Sequence, residues 1–322
     1  MAMIFGFLYE LALQGVQMFI VVLIAPLVMG VTRKVRAHLL RRIGPPLLQP
    51  YFDIWKLMHK EAVLAHNASW IYRVAPYFVF AVTWVAAALI PTYASGLLFS
   101  WSADLIAIVA LLGTARFSLA LAGMDVGTAF GGLGSSREMM IASLAEPAML
   151  LIVFTVALVA GTTQLSSIAA LFSTAAVGLR VSLALALFAM MFVGIAENAR
   201  IPIDNPATHL ELTMVHEAMV LEYSGRHLAM IEAAAQVKLV LYFSLIICLF
   251  VPFGMATGER SLAAFAFAMA VYLAKLFVLA ALLPVGETAL AKMRVFRYPV
   301  FLGGAFAAGA LAVFLLFVSR GF

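Results

Sequence analysis

Charged residues are scarce in this sequence, and cysteine is nearly absent. Only 11% of the 322 residues are Asp, Glu, Lys or Arg, whereas soluble domains average about 25%. Because 65% of the residues are hydrophobic, most of the surface must face something other than water. The single cysteine, Cys248, excludes an intrachain disulfide and the thiolate set of an iron–sulfur cluster. Electrons used by any associated redox chemistry must therefore be carried by a partner.

The sequence also lacks the common nucleotide-binding and catalytic motifs. It contains no GxGxxG, P-loop, nucleophile elbow, CxxC or HExxH pattern. The glycine-rich segment at 131–134 is not followed by the lysine of a P-loop, and we interpret it as a flexible turn. The basic residues form no stripe interleaved with aromatic residues, so a nucleic-acid partner is not expected.

Eight apolar stretches predict an all-α polytopic membrane protein with about eight transmembrane helices. They cover residues 7–31, 75–95, 104–122, 139–160, 179–197, 233–254, 262–284 and 299–318. The Ser/Thr-rich segment 161–178 is too polar for the hydrocarbon core and is interpreted as an interfacial loop. The whole chain, 1–322, is expected to form a single membrane domain.

The basic residues are distributed unevenly between the two sets of loops. Three lie on one side, namely Arg180, Arg260 and Arg320. Fifteen lie on the other side: Arg33, Lys34, Arg36, Arg41, Arg42, Lys56, Lys60, Arg73, Arg137, Arg200, Arg226, Lys238, Lys292, Arg294 and Arg297. By the positive-inside rule, loops 32–74, 123–138, 198–232 and 285–298 are cytoplasmic and both termini face outward. The bilayer would be the cytoplasmic (inner) membrane.

Residues 44–61 form a patterned polar segment between the first two apolar stretches. Apolar side chains at Leu48, Tyr51, Phe52, Trp55 and Met58 share one helical face, and polar ones share the other. This pattern predicts an amphipathic helix in the cytoplasmic interface. Its role is either simple anchoring or forming the edge of a cavity between the membrane and a docked partner.

Residues 197–232 are acid-rich although they lie on the positive side. The segment holds two arginines, Arg200 and Arg226, and six acids: Glu197, Asp204, Glu211, Glu217, Glu222 and Glu232. Thr208 is expected to cap a helix over 209–223. His209 and His216 would lie roughly 10 Å apart on that helix, too far to share one metal ion. The segment is interpreted as a solvated loop, a hydrated acidic funnel or a docking surface for a partner.

Ionisable residues inside apolar stretches are costly and are often functional. Arg116, Glu146 and Lys275 are such residues, Glu197 lies at the end of its stretch, and Glu10 is close enough to the outer end to reach water. We predict that Glu146 and Glu197 relay protons, with Arg116 and Lys275 tuning or pairing with them. The alternative is an ion-pair set that only holds helices together.

Four stretches resemble the family that joins the H subunit (mitochondrial subunit 1) of complex I with its equivalent in membrane-bound [NiFe]-hydrogenases. They are Arg41-Arg42-Ile43-Gly44-Pro45 with Leu48-Gln49-Pro50, Asp53 and Lys56-Leu57; Ala122-Gly123 with Ser136-Arg137-Glu138 and Glu146; Glu197, Arg200, Pro202 and Asp204; and Glu222-Tyr223-Ser224-Gly225. The segment between Asp204 and Glu222 is longer than in complex I, and the arginine-rich signature after the seventh span is missing. The sequence is therefore most similar to the hydrogenase branch, with formate hydrogenlyase subunit 4 and hydrogenase-4 component C.

The resemblance implies an eight-helix coupling subunit without redox cofactors of its own. Expected partners are hydrogenase-like large and small subunits with [NiFe] and iron–sulfur clusters, a ferredoxin-like iron–sulfur subunit, and antiporter-like membrane subunits. Candidate proton-pathway residues are Glu146, Glu197, Asp204, Glu211, Glu217, Glu222, Arg116 and Lys275. Candidate docking residues are Arg41, Arg42, Gln49, Asp53, Lys56, Arg137, Arg200 and Arg294. Two alternatives are a quinone-chamber subunit of NADH-quinone oxidoreductase and a stand-alone secondary transporter.

The segment 204–223 separates the hydrogenase and quinone interpretations. We expect it to form a capped helix that closes the cavity and binds no quinone headgroup. His209 and His216 are expected to titrate near neutral pH and to pass protons to Glu211 and Glu222.

Overall fold

The structure, a computed structural model, describes residues 2–173, 180–200, 214–256, 261–289 and 298–320. Within those ranges it consists of helices, one 3-10 turn at Ser100–Ser102 and two isolated β-bridges. The helices are α1 (Ala2–Leu39), α2 (Gln49–Met58), α3 (Trp70–Leu89), α4 (Leu105–Asp125), α5 (Ala129–Ala160), α6 (Leu165–Ser173), α7 (Val181–Glu197), α8 (His216–Val220), α9 (Gly225–Phe250), α10 (Leu262–Ala289) and α11 (Tyr298–Arg320).

Seven of the described helices are long and apolar enough to cross a membrane: α1, α3, α4, α5, α9, α10 and α11. An eighth apolar helix, α7, has 17 residues, which is at the short end of the range for a transmembrane helix. Each of the eight predicted apolar stretches thus contains a helix. The predicted fold class, an all-α polytopic membrane protein, is confirmed.

Helix α9 lies at the centre of the bundle. In the most apolar part of α9, 72% of the residues are buried inside the protein, compared with 22% in α10 and 33% in α11. It packs against α1, α2 and α3 on one side and against α7 on another. Helices α5, α7 and α11 pack on one another, and α10 packs on α1. The side chains of α9 therefore reach both halves of the bundle.

The predicted amphipathic helix over 44–61 is present as the ten-residue helix α2. Pro50 lies in its first turn, where the missing N–H costs no intrahelical hydrogen bond. Phe52, Trp55 and Met58 are exposed on its apolar face. The Tyr51 hydroxyl donates to the carbonyl of Leu23 in α1, which ties α2 to the bundle.

The prediction of a loop over 123–138 is wrong for residues 129–138. Helix α5 begins at Ala129, with the Thr128 hydroxyl accepting from Gly131 N (3.2 Å), so residues 129–138 are helical. A Cβ on Gly131 would lie 2.2 Å from the Gly123 carbonyl oxygen. The glycine-rich segment 131–134 is therefore not a flexible turn. It lets the start of α5 approach the end of α4.

The other predicted loops are shorter in the structure because the helices extend into them. α1 continues to Leu39, α9 begins at Gly225, and α10 ends at Ala289. The segment 161–178, interpreted as a loop, contains α6. Of the helix predicted over 209–223, the described residues 214–223 are helical only at His216–Val220, and residues 201–213 lie outside the described part.

Candidate functional site

Arg116 in α4 contacts three glutamates from two other helices. Its guanidinium lies 3.6 Å (Nε–Oε1) from Glu138 and 2.9 Å (Nη1–Oε1) from Glu146, both in α5. It also donates to the carboxylate of Glu197 at the end of α7. Only 4% of the Arg116 side chain is exposed, and a buried guanidinium is tolerated only with charged or hydrogen-bonding partners. The three carboxylates thus explain how an arginine is accommodated inside an apolar bundle.

Lys238 from the central helix α9 adds a second cation. Its Nζ lies 3.0 Å from Glu197 Oε2. Arg116, Glu138, Glu146, Glu197 and Lys238 are called the ionic cluster below, and they join α4, α5, α7 and α9. The cluster has three carboxylates and two cations. With every group ionised it carries one net negative charge, so one added proton would make it neutral.

The three carboxylates differ in their access to the surroundings. The side chain of Glu197 is 2% exposed and that of Glu138 is 11% exposed, whereas that of Glu146 is 45% exposed. The ionic cluster therefore extends from a fully buried end to an end at the surface of the bundle. Arg116 contacts both ends.

A cavity of about 60 Å³, called the ionic cavity below, lies beside the buried end of the ionic cluster. Four members of the cluster line it, Arg116, Glu138, Glu197 and Lys238, together with Thr83, Asn198 and His216. Its size and polar lining suit a few hydrogen-bonded water molecules. Such water would connect the carboxylates with the imidazole of His216.

His216 in α8 is one of the residues that line this cavity. Burial and the positive charge of Lys238 lower the pKa of His216 from its usual value of 6.5 to about 4. The expectation that His216 titrates near neutral pH is therefore wrong. At pH 7 its imidazole is neutral, with one nitrogen that donates a hydrogen bond and one that accepts.

A second buried ion-pair group lies where α1, α7 and α10 meet. Glu287 of α10 is 3.8 Å from Arg36 of α1 and 3.7 Å from Arg200, which follows α7. The Arg200 guanidinium also lies 3.1 Å from the sulfur of Met29. This group holds the residues directly after Glu197 against two other helices.

The structure brings three of the proton-pathway candidates together and places others elsewhere. Arg116, Glu146 and Glu197 are in the ionic cluster. Lys275 donates instead to the carbonyls of Val251 (2.7 Å) and Phe253. Glu217 and Glu222 are exposed, on α8 and on the turn after it. Asp204 and Glu211 lie outside the described residues, as does His209.

The docking candidates differ in their exposure. Arg41, Arg42 and Lys56 are exposed. Gln49 donates to Asp53 (2.8 Å), and Asp53 pairs with Arg33 (3.6 Å). These residues remain accessible to a partner.

Arg137 and Arg200 are turned toward the protein rather than away from it. Arg137 donates to the carbonyl of Met214 (2.8 Å), which fixes the segment before α8 to α5. The side chain of Arg200 is only 15% exposed and faces Glu287. Arg294 lies outside the described residues.

Four residues of these two groups are not among the candidates predicted from the sequence, namely Arg36, Glu138, Lys238 and Glu287. The predicted spans are too short, which places Glu138 and Glu287 in loops, and Arg36 and Lys238 are counted only as basic loop residues. A signal exists for Glu138, which is eight residues before Glu146 and thus on a neighbouring face of one helix. Lys238 lies inside the predicted stretch 233–254, where a charge needs a partner.

No metal site accompanies these charges in the part of the chain that the structure describes. There, no three His, Cys, Asp or Glu side chains are grouped so that they could hold a metal ion.

Comparison with known proteins agrees with this architecture. The model of the NADH dehydrogenase family matches residues 12–318. The chain belongs to the NADH dehydrogenase family. The resemblance inferred from the four sequence stretches is thereby confirmed.

Among relatives in this family, hydrogenase-4 component C of Escherichia coli (strain K12) is 34% identical over 314 residues. That match covers 96% of this chain and 97% of the relative. Formate hydrogenlyase subunit 4 of the same organism is 31% identical, covering 94% and 96%. A more distant relative is the NADH-ubiquinone oxidoreductase chain 1 of Triticum aestivum, which is 29% identical over 72% of this chain and 74% of its own length.

A solved structure has the same fold. A chain of the membrane-bound sulfane sulfur reductase, an archaeal respiratory membrane complex, aligns with a TM-score of 0.78. The alignment covers 96% of this chain and 98% of the other, at 20% sequence identity.

Proposed function

We propose that this chain is the membrane anchor and coupling component of a hydrogenase- or formate hydrogenlyase-like, complex I-related oxidoreductase. The observation that carries the proposal is the ionic cluster, in which a buried arginine contacts three glutamates from two helices and a partly exposed lysine pairs with one of them. A charged group of this size inside a membrane bundle is costly and is usually functional. The near full-length similarity to hydrogenase-4 component C and formate hydrogenlyase subunit 4 supports this choice of complex.

In this proposal the ionic cluster moves protons because it has one carboxylate more than it has cations. A proton enters at a half-exposed group, Glu146, and is passed along carboxylates that all contact Arg116. The cavity at the buried end supplies water, and neutral His216 can accept a proton on one nitrogen while releasing one from the other. A change of charge at the docked arm would shift the proton between Glu197 and its neighbours.

The redox chemistry is assigned to partner subunits. A soluble arm with hydrogenase-like large and small subunits and a ferredoxin-like subunit would carry [NiFe] and iron–sulfur clusters. It would dock on the face with Arg41, Arg42 and Lys56, and antiporter-like subunits would adjoin in the membrane. The charge bias of the loops supports a cytoplasmic location for that face, and the bilayer would be the inner membrane. The translocated ion would be H⁺ or Na⁺.

The test exchanges single carboxylates of the ionic cluster in the assembled complex. Glu146→Gln removes a titratable group at the half-exposed end and keeps the size and hydrogen bonding of the side chain. We expect ion translocation in proteoliposomes to fall by about a hundred-fold or more, the scale of a general acid–base contribution, while electron transfer by the soluble arm stays near wild type. Glu197→Gln should have the same effect with a lower stability, because it removes the carboxylate that buried Arg116 and Lys238 share.

Glu61→Gln serves as the matched control, since Glu61 is exposed and is not in the ionic cluster. It should translocate ions at the wild-type stoichiometry. If Glu146→Gln and Glu197→Gln also do so, the cluster is an ion-pair set that only joins helices.

One observation favours the alternative of a quinone chamber. An apolar cavity of about 680 Å³ lies under α2, a size and lining typical of small-molecule sites. His216 lines the ionic cavity instead, so it is not placed to hold a quinone headgroup there. Photolabelling of the assembled complex with an azidoquinone, followed by peptide mapping around Trp55 and Ala233, tests this alternative.

A further inference from the structure

Two cavities adjoin beneath the amphipathic helix α2. The larger, of about 680 Å³, is apolar and lies among α1, α2, α3 and α9, with Val22, Pro26, Phe52, Trp55, Ala233 and Val237 in its lining. The smaller, of about 340 Å³, is charged, and its lining includes Arg33, Asp53, Lys56, Lys60 and Glu232. Ile54 and Gln236 line both cavities. Together they form one slot with an apolar end and a polar end, called the α2 slot below.

The polar end of the α2 slot has a surplus of positive charge. Arg33 and Asp53 form an ion pair with each other (3.6 Å). The remaining charges are Lys56, Lys60 and Glu232, and both lysines are exposed. One negative charge would therefore make this end neutral. Basic pockets of this kind at a membrane surface favour anionic lipid headgroups.

Gln236 marks the junction between the two ends. It is 2% exposed, and its side-chain oxygen has no hydrogen-bond donor within the described part of the protein. A buried amide oxygen without a donor is unfavourable, because it gives up its hydrogen bonds to water without replacing them. A ligand with a hydroxyl group at this depth would satisfy it.

We propose that the α2 slot binds one anionic glycerophospholipid. Its phosphate lies against Lys56 and Lys60, its headgroup glycerol folds back past the phosphate so that a hydroxyl reaches Gln236, and an acyl chain fills the apolar end beside Ala233. Phosphatidylglycerol has the one negative charge and the hydroxyl groups that this geometry requires. The site fastens α2 to the bilayer and does not depend on ion coupling by the ionic cluster.

Each competing occupant of the α2 slot lacks either the negative charge or the hydroxyl donor. A quinone has the apolar tail but no charge for the two lysines. Phosphatidylcholine has the phosphate, but its quaternary ammonium cancels the charge and offers no donor to Gln236. Selectivity for phosphatidylglycerol is therefore the property to measure.

The experiment uses native mass spectrometry of the purified, delipidated complex. Phosphatidylglycerol, phosphatidylcholine with the same acyl chains, and a short-tailed ubiquinone are titrated separately, and then phosphatidylglycerol against ubiquinone. We expect the strongest site to prefer phosphatidylglycerol over phosphatidylcholine at least about ten-fold, the scale expected for two lysines at a membrane surface. Lys56→Gln combined with Lys60→Gln should remove that preference.

Two further variants keep the test decisive. Lys34→Gln combined with Arg73→Gln removes the same charge from exposed positions outside the α2 slot, and it should keep the preference. Ala233→Phe fills the apolar end and should weaken binding of both lipids. Equal affinity for the two phospholipids in the unaltered complex would overturn the proposal, and this comparison does not depend on any variant folding. Displacement of phosphatidylglycerol by the ubiquinone would overturn it in favour of a quinone site.

Discussion

At the scale of single residues, the state of each ionisable group depends on how it is buried. Glu146 keeps nearly half of its side chain exposed while Glu197 keeps almost none, although both contact Arg116. His216 lines the ionic cavity together with Lys238, and burial and the charge of Lys238 lower the pKa of His216 to about 4. Burial thus separates a half-exposed carboxylate, Glu146, from groups that the protein shields from their surroundings.

The lowered pKa of His216 predicts an acid-sensitive stability. The folded protein binds a proton at His216 less readily than the unfolded chain, in which the pKa is near 6.5. The stability contributed by the neutral imidazole is therefore complete above about pH 6.5 and is lost as the pH falls toward 4. Below that pH, no further change comes from this group. The full effect is on the order of 3 kcal/mol, from 1.36 kcal/mol per pKa unit.

Melting of the detergent-solubilised protein between pH 4.5 and 7.5 measures this effect. His216→Gln, which cannot be protonated, should lose less stability across that interval than the wild type. Carboxylates titrate in both proteins, so the difference between the two curves isolates His216. Parallel curves would show that the His216 imidazole is not held in the ionic cavity.

The sequence identifies some members of the ionic cluster but not all of them. Arg116, Glu146 and Glu197 can be predicted because a charge inside an apolar stretch needs an explanation. Glu138 resembles a loop residue in the sequence, because hydropathy averages over a window and shortens helices whose ends carry charge. Lys238 lies inside a predicted stretch, but the sequence does not show which residue it pairs with. That five side chains from four helices meet depends on packing between helices, which no single stretch contains.

At the scale of elements, the Tyr223-Ser224-Gly225 segment joins the start of α9 to α3 and to the segment between α2 and α3. The Tyr223 ring stacks on Tyr72 with centroids 4.0 Å apart. The Ser224 hydroxyl accepts from Val63 N (2.8 Å) and donates to Val63 O (3.0 Å). Gly225 begins α9 at a φ of +52°, a conformation that glycine adopts without strain. This motif therefore has a structural role that its sequence alone does not reveal.

Gly225→Ala is expected to destabilise the protein strongly. An added Cβ would lie 2.4 Å from the carbonyl oxygen of Glu61, which is backbone and cannot rotate away, and the positive φ would add strain. We expect a loss of roughly 2–4 kcal/mol, the range of a buried steric change combined with backbone strain. Thermal melting of the solubilised protein measures it.

Gly286→Ala is the matched control in another helix. Nothing lies within 4 Å of a Cβ added there, and alanine is favoured over glycine in helices by up to about 1 kcal/mol. Its melting temperature should stay the same or rise. An equal decrease in both variants would mean that the close contact with Glu61 does not exist.

Element types are predictable where a segment is long and apolar, and less so elsewhere. All eight apolar stretches contain helices, and the amphipathic pattern correctly predicts α2. The prediction of a turn at 131–134 is wrong, because glycine signals a turn by its flexibility but also permits close helix packing. Only the contact of Gly131 with Gly123 shows which of the two applies.

At the scale of the whole molecule, the predicted fold class and family are confirmed, whereas the orientation in the membrane is still a prediction. It rests on the excess of Lys and Arg in one set of loops, since basic residues near spans are retained on the cytoplasmic side. A strongly exposed apolar residue on each predicted side of the membrane is suitable for labelling. Ile43 follows α1 and is 95% exposed, and Trp101 lies between α3 and α4 and is 76% exposed.

These two positions allow a symmetric labelling test. Ile43→Cys and Trp101→Cys are made separately, and the native Cys248 is buried and should not react with a polar reagent. A membrane-impermeant maleimide should label Trp101→Cys in intact cells, and Ile43→Cys only after the membrane is opened. Detergent-solubilised samples, in which both cysteines should react, control for reactivity. Labelling of Ile43→Cys in intact cells would show that the orientation in the membrane is the reverse of the predicted one. It would also move the docking face with Arg41, Arg42 and Lys56 away from the cytoplasm, where the proposed soluble arm could not reach it.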